Sequence, residues 1–176
     1  MKSILLVSAT VTMSLLFLLT TLSIVNAQIE PNTTAGKDIS VSIGELIFES
    51  KTKGEGMKIS DLEKQVFEVS WSGNGTVNGS IPVKDLGTAW TSLKDDGYWY
   101  GKGHGMLITP DNKIAKYVFG TVGKMDDDGK LRNLGSVFFD TNDTATLSVL
   151  KNTVGVLADE IDQKGFAITK IWKLTR

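Results

Sequence analysis

Cysteine is absent from this 176-residue chain. That one absence removes disulfides, thiolate metal sites and cysteine nucleophiles together. Histidine occurs once, as His104, and a lone imidazole cannot build a histidine-based metal centre. A basic surplus is also missing, with 19 Lys and Arg against 20 Asp and Glu. Phosphate binding needs positive charge gathered on some face, so the balance argues against nucleic acid as a partner. With 41% apolar and 22% charged residues, the composition is that of a globular chain. Wholesale disorder, a collagen-like repeat and a polytopic membrane protein are excluded.

Chemical motifs are scarce as well. GKGHG at 101–105 lacks the G-x-G-x-x-G spacing of a dinucleotide site, and no phosphate-binding G-x-x-x-x-G-K-[ST] loop occurs. KMDDDGK at 124–130 resembles a calcium loop only superficially. Counting from Gly129 puts Lys124 where the first acidic ligand belongs and Gly135 where the bidentate Glu belongs. Asp126, Asp127 and Asp128 therefore read as a solvated hairpin turn. No G-x-S-x-G elbow is present. Asp159, Glu160 and Asp162 read as a polar rim near a strand end rather than paired acid–base carboxylates. The expectation is no catalytic residue, no metal and no cofactor.

What is present begins with a leader. Lys2 carries one positive charge, and residues 3–29 carry none. The apolar stretch ILLVSATVTMSLLFLLTTLSIV ends at Val25-Asn26-Ala27, whose small first and third residues suit signal-peptidase cleavage after Ala27. It is also long enough to cross a bilayer, which takes about 20 residues, so an uncleaved anchor is the alternative. In both readings the rest of the chain is exported, either secreted or held outside the cytoplasm by that segment alone. Residues 28–40 (QIEPNTTAGKDIS) read as a flexible polar leader. Asn32, Asn74, Asn78 and Asn142 begin Asn-x-Ser/Thr sequons, which an exported chain can glycosylate where they face solvent.

From residue 41 to 176 short Val-, Ile-, Phe-, Tyr-, Trp- and Thr-rich runs alternate with turn clusters. Strands are expected near 42–51, 55–60, 64–72, 75–83, 97–109, 113–123, 130–139, 153–161 and 166–174. Residues 86–94 read as strand or loop, and 145–152 as a short helical turn. Turns are expected at 53–56, 73–75, 95–97, 110–112, 126–129, 141–143 and 163–165. In 76–83, Val77, Ile81 and Val83 share a face and Asn78 takes the other. Such punctuation indicates antiparallel hairpins. Closing the sheet on itself removes its two unpaired edges, so the expected fold is all-β, a single antiparallel up-and-down barrel of about eight strands after an N-terminal signal or anchor helix.

The segment 98–109, YWYGKGHGMLIT, places Tyr98, Tyr100, Lys102 and His104 on one face and alternate glycines on the other. If Asp111-Asn112 form a two-residue turn, Tyr117 and Phe119 join the His104 face. A three-residue loop inverts that. In the first case Tyr98, Tyr100, Lys102, His104, Tyr117 and Phe119 line a pocket for a small apolar or amphipathic molecule. The competing reading is a packed barrel core bent by its glycines.

The stretch GYWYGKGHGMLITPDNKIAKYVFGTVGK, with GSVFFDT and LSVLKNTVGVLADEIDQKGFAITKIWK after it, resembles a group of small prokaryotic proteins of unknown function. The shared pattern is a G-x-G-x-G strand, a Thr-x-Asp turn, an aromatic strand after a glycine-containing turn and a closing strand with Trp. It is similar to the allene-oxide-cyclase-type barrel, a lipocalin-like eight-stranded fold. The resemblance spans roughly residues 85–175 and implies a barrel with a central cavity, but carries no catalytic residue onto this chain. Three roles stay in competition: a binding module for a small apolar or amphipathic molecule, a surface structural or interaction domain with a packed core, and a cyclase- or isomerase-type enzyme using His104 or Lys102.

Overall fold

Strands of this chain are joined by loops that nearly repeat one another, and the loops explain the sheet. The computed structural model describes residues 40–176. The expected signal or anchor segment, the polar leader up to residue 39 and the Asn32 sequon lie outside the described residues. Among them, eight strands run in chain order around a closed antiparallel barrel. They are β1 (Ser42–Asp61), β2 (Val66–Val77), β3 (Ile81–Leu93), β4 (Trp99–Ile108), β5 (Ile114–Met125), β6 (Leu131–Thr141), β7 (Thr153–Ile161) and β8 (Phe166–Thr175). A 3-10 helical turn, Ser148–Leu150, precedes β7.

Four hairpins share one geometry. At each, two backbone hydrogen bonds bracket a three-residue loop whose last residue has positive φ: Gly97 (80°), Asn112 (63°), Gly129 (75°) and Gly165 (79°). A type I turn followed by a left-handed residue is a common three-residue hairpin loop, and glycine or asparagine suits its last position. Asn78 and Gly79 also take positive φ, at the β2–β3 turn. The sequence pattern had placed Asn78 on the outer side of a strand over 75–83. It sits instead at an exposed turn, because an Asn-Gly pair is itself a strong hairpin signal.

Two other expected turns are strand interior. Residues 53–56 lie within β1, a 20-residue strand, and the local irregularity there is a bulge between Gly54 and Gly56. Residues 73–75 run straight through β2. Nine expected runs thus become eight strands, and 86–94 is strand to Leu93. β1 joins both neighbours, pairing with β8 through Ser42–Lys53 and with β2 through Phe48–Asp61, and so closes the barrel. Asn74 and Asn142 are exposed.

Alternation then fills the barrel. Phe48, Val77, Val83, Leu107, Ala115, Val137, Phe139, Leu157 and Ile171 are buried, and Leu147 and Leu150 seal that end without measurable exposure. The Gly97→Ala variant adds a methyl group into open space. Its cost in urea unfolding should therefore come from positive φ alone, about 1–2 kcal/mol. Asn112→Gly should shift stability by less than about 1 kcal/mol.

Candidate functional site

Register decides which side chains meet inside. Gly105 pairs with Tyr117 and Gly103 with Phe119, so the β4 glycines and the β5 aromatics share the inner face. The loop Pro110-Asp111-Asn112 has three residues, closed by Thr109 N–H donating to the Lys113 carbonyl at 3.0 Å. The expected six-residue lining is therefore split, since the extra loop residue rotates β5 by one face relative to a two-residue turn. Tyr117 and Phe119 point inward. Tyr98, Tyr100, Lys102 and His104 stand on the outer face and are exposed. His104 packs beside Trp90 at 5.5 Å between centroids, and the Lys124 ammonium lies 5.6 Å over the Tyr98 ring. An acid–base role inside the barrel is thereby removed from His104 and Lys102.

The inner face holds a carboxyl that the sequence analysis did not single out. Asp85, on β3, is buried and accepts hydrogen bonds from Tyr117 Oη–H at 2.6 Å and Ser50 Oγ–H at 2.9 Å. Burial raises its pKa, and the Tyr117, Ser50 and Trp71 side chains oppose that rise by bonding to the charged form. Burial, followed by the neighbouring Asp85 charge, holds the Tyr117 phenol well above its ordinary value. The signal was available in principle, because Asp85 shares strand parity with Val83.

Above this knot Trp71 and Phe119 meet edge-on across the barrel, 5.9 Å between centroids. Both face inward yet are only half-buried, as are Phe67, Val69 and Trp99. Small inner residues (Thr91, Gly101, Thr121 and Gly135) occupy the wall at this level. Phe67 and Trp99 stand near one another toward the mouth, at 6.3 Å. The inner face thus divides into a packed half and a partly exposed half, the cup, floored by Trp71 and Phe119.

Asp159 projects into the cup half. The expected polar rim of Asp159, Glu160 and Asp162 is separated by alternation. Glu160 points outward to Lys130 (2.5 Å) and Arg132 (3.0 Å), whereas Asp162 accepts turn N–H groups from Lys164 and Phe166. Asp159 accepts from Asn133 Nδ2 at 2.7 Å, and burial pushes its pKa up to about 6. The acidic turn at 126–129 is exposed, and Arg132 pairs with both Asp126 and Asp128. Among the described residues no group of three or more His, Asp or Glu is placed to hold a metal, and no helix is long and apolar enough to cross a membrane.

Trp90, Tyr100, Lys102, Val122 and Leu134 border a shallow groove of about 670 Å³ on the outer face, and the wall residues Thr91, Gly101, Thr121 and Gly135 line it as well. Two of the residues expected to bind ligand therefore stand in an outer groove, and Phe119 stands on the inner floor.

No protein family matches the chain, and no curated protein does. Solved structures share its fold. A conserved protein of unknown function from Rhodopseudomonas palustris aligns with TM-score 0.64 at 8% identity, covering 78% of this chain and 100% of its own. A protein of unknown function from Clostridium acetobutylicum aligns with TM-score 0.60 at 13% identity, covering 80% and 99%. A β-barrel-like protein from Acinetobacter baumannii aligns with TM-score 0.58 at 13% identity, covering 78% and 98%. At these identities the likeness is one of fold. It supports the barrel and does not single out the allene-oxide-cyclase type.

Two predictions follow from the buried acids. Tyr117→Phe keeps the ring and deletes one donor to Asp85, so urea unfolding at neutral pH should show a loss of about 1–3 kcal/mol. For Asp159, the folded pKa of about 6 lies above the ordinary 3.8, so the folded state holds the proton more tightly. Its stabilising effect is complete below about pH 4 and is lost as pH rises to about 6, a change of ~3 kcal/mol. Measured against Asp159→Asn, wild-type stability should fall across that window and run parallel above it.

Proposed function

We propose that this chain is an exported, non-catalytic binding module that takes a small apolar or amphipathic molecule into the open half of its barrel. The observation that carries the reading is the half-buried Trp71–Phe119 pair, facing inward beneath small wall residues while the opposite half is packed shut. Aromatic rings left partly wet inside a concave wall gain free energy when an apolar body displaces that water. The outer groove is the weaker candidate, since an open groove covers one side of a ligand and small-molecule sites commonly enclose most of it. Export rests on the charge-free leader and its Val25-Asn26-Ala27 end.

A second reading, a surface-interaction domain, draws on the outer face. Val118, Phe138 and Val154 are paired neighbours across β5, β6 and β7 and are 55%, 44% and 43% exposed. Contiguous exposed apolar rows of this kind occur at interaction surfaces.

N-phenyl-1-naphthylamine, a neutral apolar dye, separates these readings. Its fluorescence should rise on mixing with the purified protein. Thr169→Phe, which fills the inner face beside Asp159 away from the groove, should weaken binding at least about tenfold, whereas Lys102→Ala on the outer groove should leave it within about twofold. Absence of a fluorescence change with wild-type protein, or equal binding by Thr169→Phe, would rule out the cup.

A further inference from the structure

We propose that the cup selects an amphipathic amine, with its ammonium against Asp159 and its apolar body against Trp99, Phe67 and the Trp71–Phe119 floor. This rests on the cup reading above and adds the chemical class of its ligand.

The interior holds two carboxyls, and they are provided for differently. Asp85 has hydroxyl donors on both oxygens, from Tyr117 and Ser50, and lies in the packed half. Asp159 is served by Asn133 alone, through its side-chain amide at 2.7 Å and its backbone N–H. No buried polar side-chain atom is orphaned among the described residues. A carboxylate can accept about four hydrogen bonds, and Asp159 is partly exposed with Asn133 as its only donor residue.

No cation answers it from within. The inward positions beside it are Leu131, Asn133 and Gly135 on β6 and Ala167 and Thr169 on β8, none of them charged. The basic residues that flank Asn133 in sequence, Lys130 and Arg132, are engaged with Glu160, Asp126 and Asp128. Asp85 and Tyr117 lie on the far side of the aromatic floor. A largely desolvated carboxylate with open acceptor capacity and no charged partner favours a ligand that brings its own positive charge. Aromatic ring faces attract an ammonium further. A neutral alcohol can occupy the same space but gains neither term.

Displacement of N-phenyl-1-naphthylamine by n-octylammonium, n-octanol and octanoate provides the test. At pH 7.5 the amine should displace the dye from wild-type protein at a concentration about tenfold below that of octanol, with octanoate weakest. In Asp159→Asn the amine and alcohol should converge to within about twofold, with octanol unchanged. A circular dichroism spectrum checks that this variant folds. Should it not fold, the wild-type pH profile decides. Octylammonium stays protonated throughout, and its affinity should fall about tenfold from pH 7.5 to pH 5 while octanol holds steady. Equal displacement by amine and alcohol on wild-type protein, or a flat pH profile for the amine, overturns the proposal and leaves the cup standing. Retention of the amine preference in a folded Asp159→Asn does the same. Failure of the dye and all three probes to bind wild-type protein overturns the cup and the amine preference together.

Discussion

Tyr117, Phe119 and Trp71 reach the barrel interior only because the backbone beneath each ring carries a hydrogen where other residues carry a side chain. A Cβ on Gly103 would stand 2.6 Å from the Phe119 ring, and one on Gly87 would stand 2.5 Å from Trp71. A Cβ on Gly105 would collide with the Tyr117 ring and its hydroxyl. Eight strands leave an interior just wide enough for side chains, so three large rings at neighbouring levels require three gaps in the wall. The glycines that look like weak points in β3 and β4 are therefore the seats of the core.

That seating governs the electrostatics. Tyr117, laid over Gly105, delivers its hydroxyl to Asp85, and Ser50 completes the arrangement from β1. A carboxyl in so apolar a place would be costly alone, and its donors offset part of that cost. The Trp71–Phe119 contact forms a partition over the knot. Below it, packing is continuous to Leu147 and Leu150. Above it, Thr and Gly alternate with the partly exposed Phe67 and Trp99 rings, and Asp159 is met by Asn133 alone. One interior thus holds a saturated acid and an unsaturated one, separated by a layer of two rings.

Much of the fold was legible in the chain. Asp-Asp-Gly twice and Gln-Lys-Gly once announce three-residue loops, because their last residue must accept positive φ. Pro110-Asp111-Asn112 is the fourth of the set, with asparagine in the glycine's place. Recognising that kinship would have settled the β4–β5 register and put Tyr117 and Phe119 opposite His104. Asp159 was legible to the same degree, sharing parity with Leu157 along β7, yet its neighbours Glu160 and Asp162 made it look like part of a rim. The 20-residue β1 was less accessible: Lys53-Gly54-Glu55-Gly56 has the composition of a turn, and pairing to strands on both sides keeps it extended.

Residue pattern alone determined that this would be an antiparallel barrel, because period-two alternation and hairpin turns are local properties. Local steric preference and the need to bury one face suffice to specify them. What surrounds each side chain was decided by closure. Asp85 meets Ser50 and Tyr117, and Trp71 meets Phe119, across strands that are not neighbours in the sheet. Such encounters depend on register accumulated around the whole barrel, where one added loop residue exchanges inside for outside. The division of the interior into a sealed half and a cup belongs to that second level, since it arises where sequence-distant glycines and rings come to lie at one height.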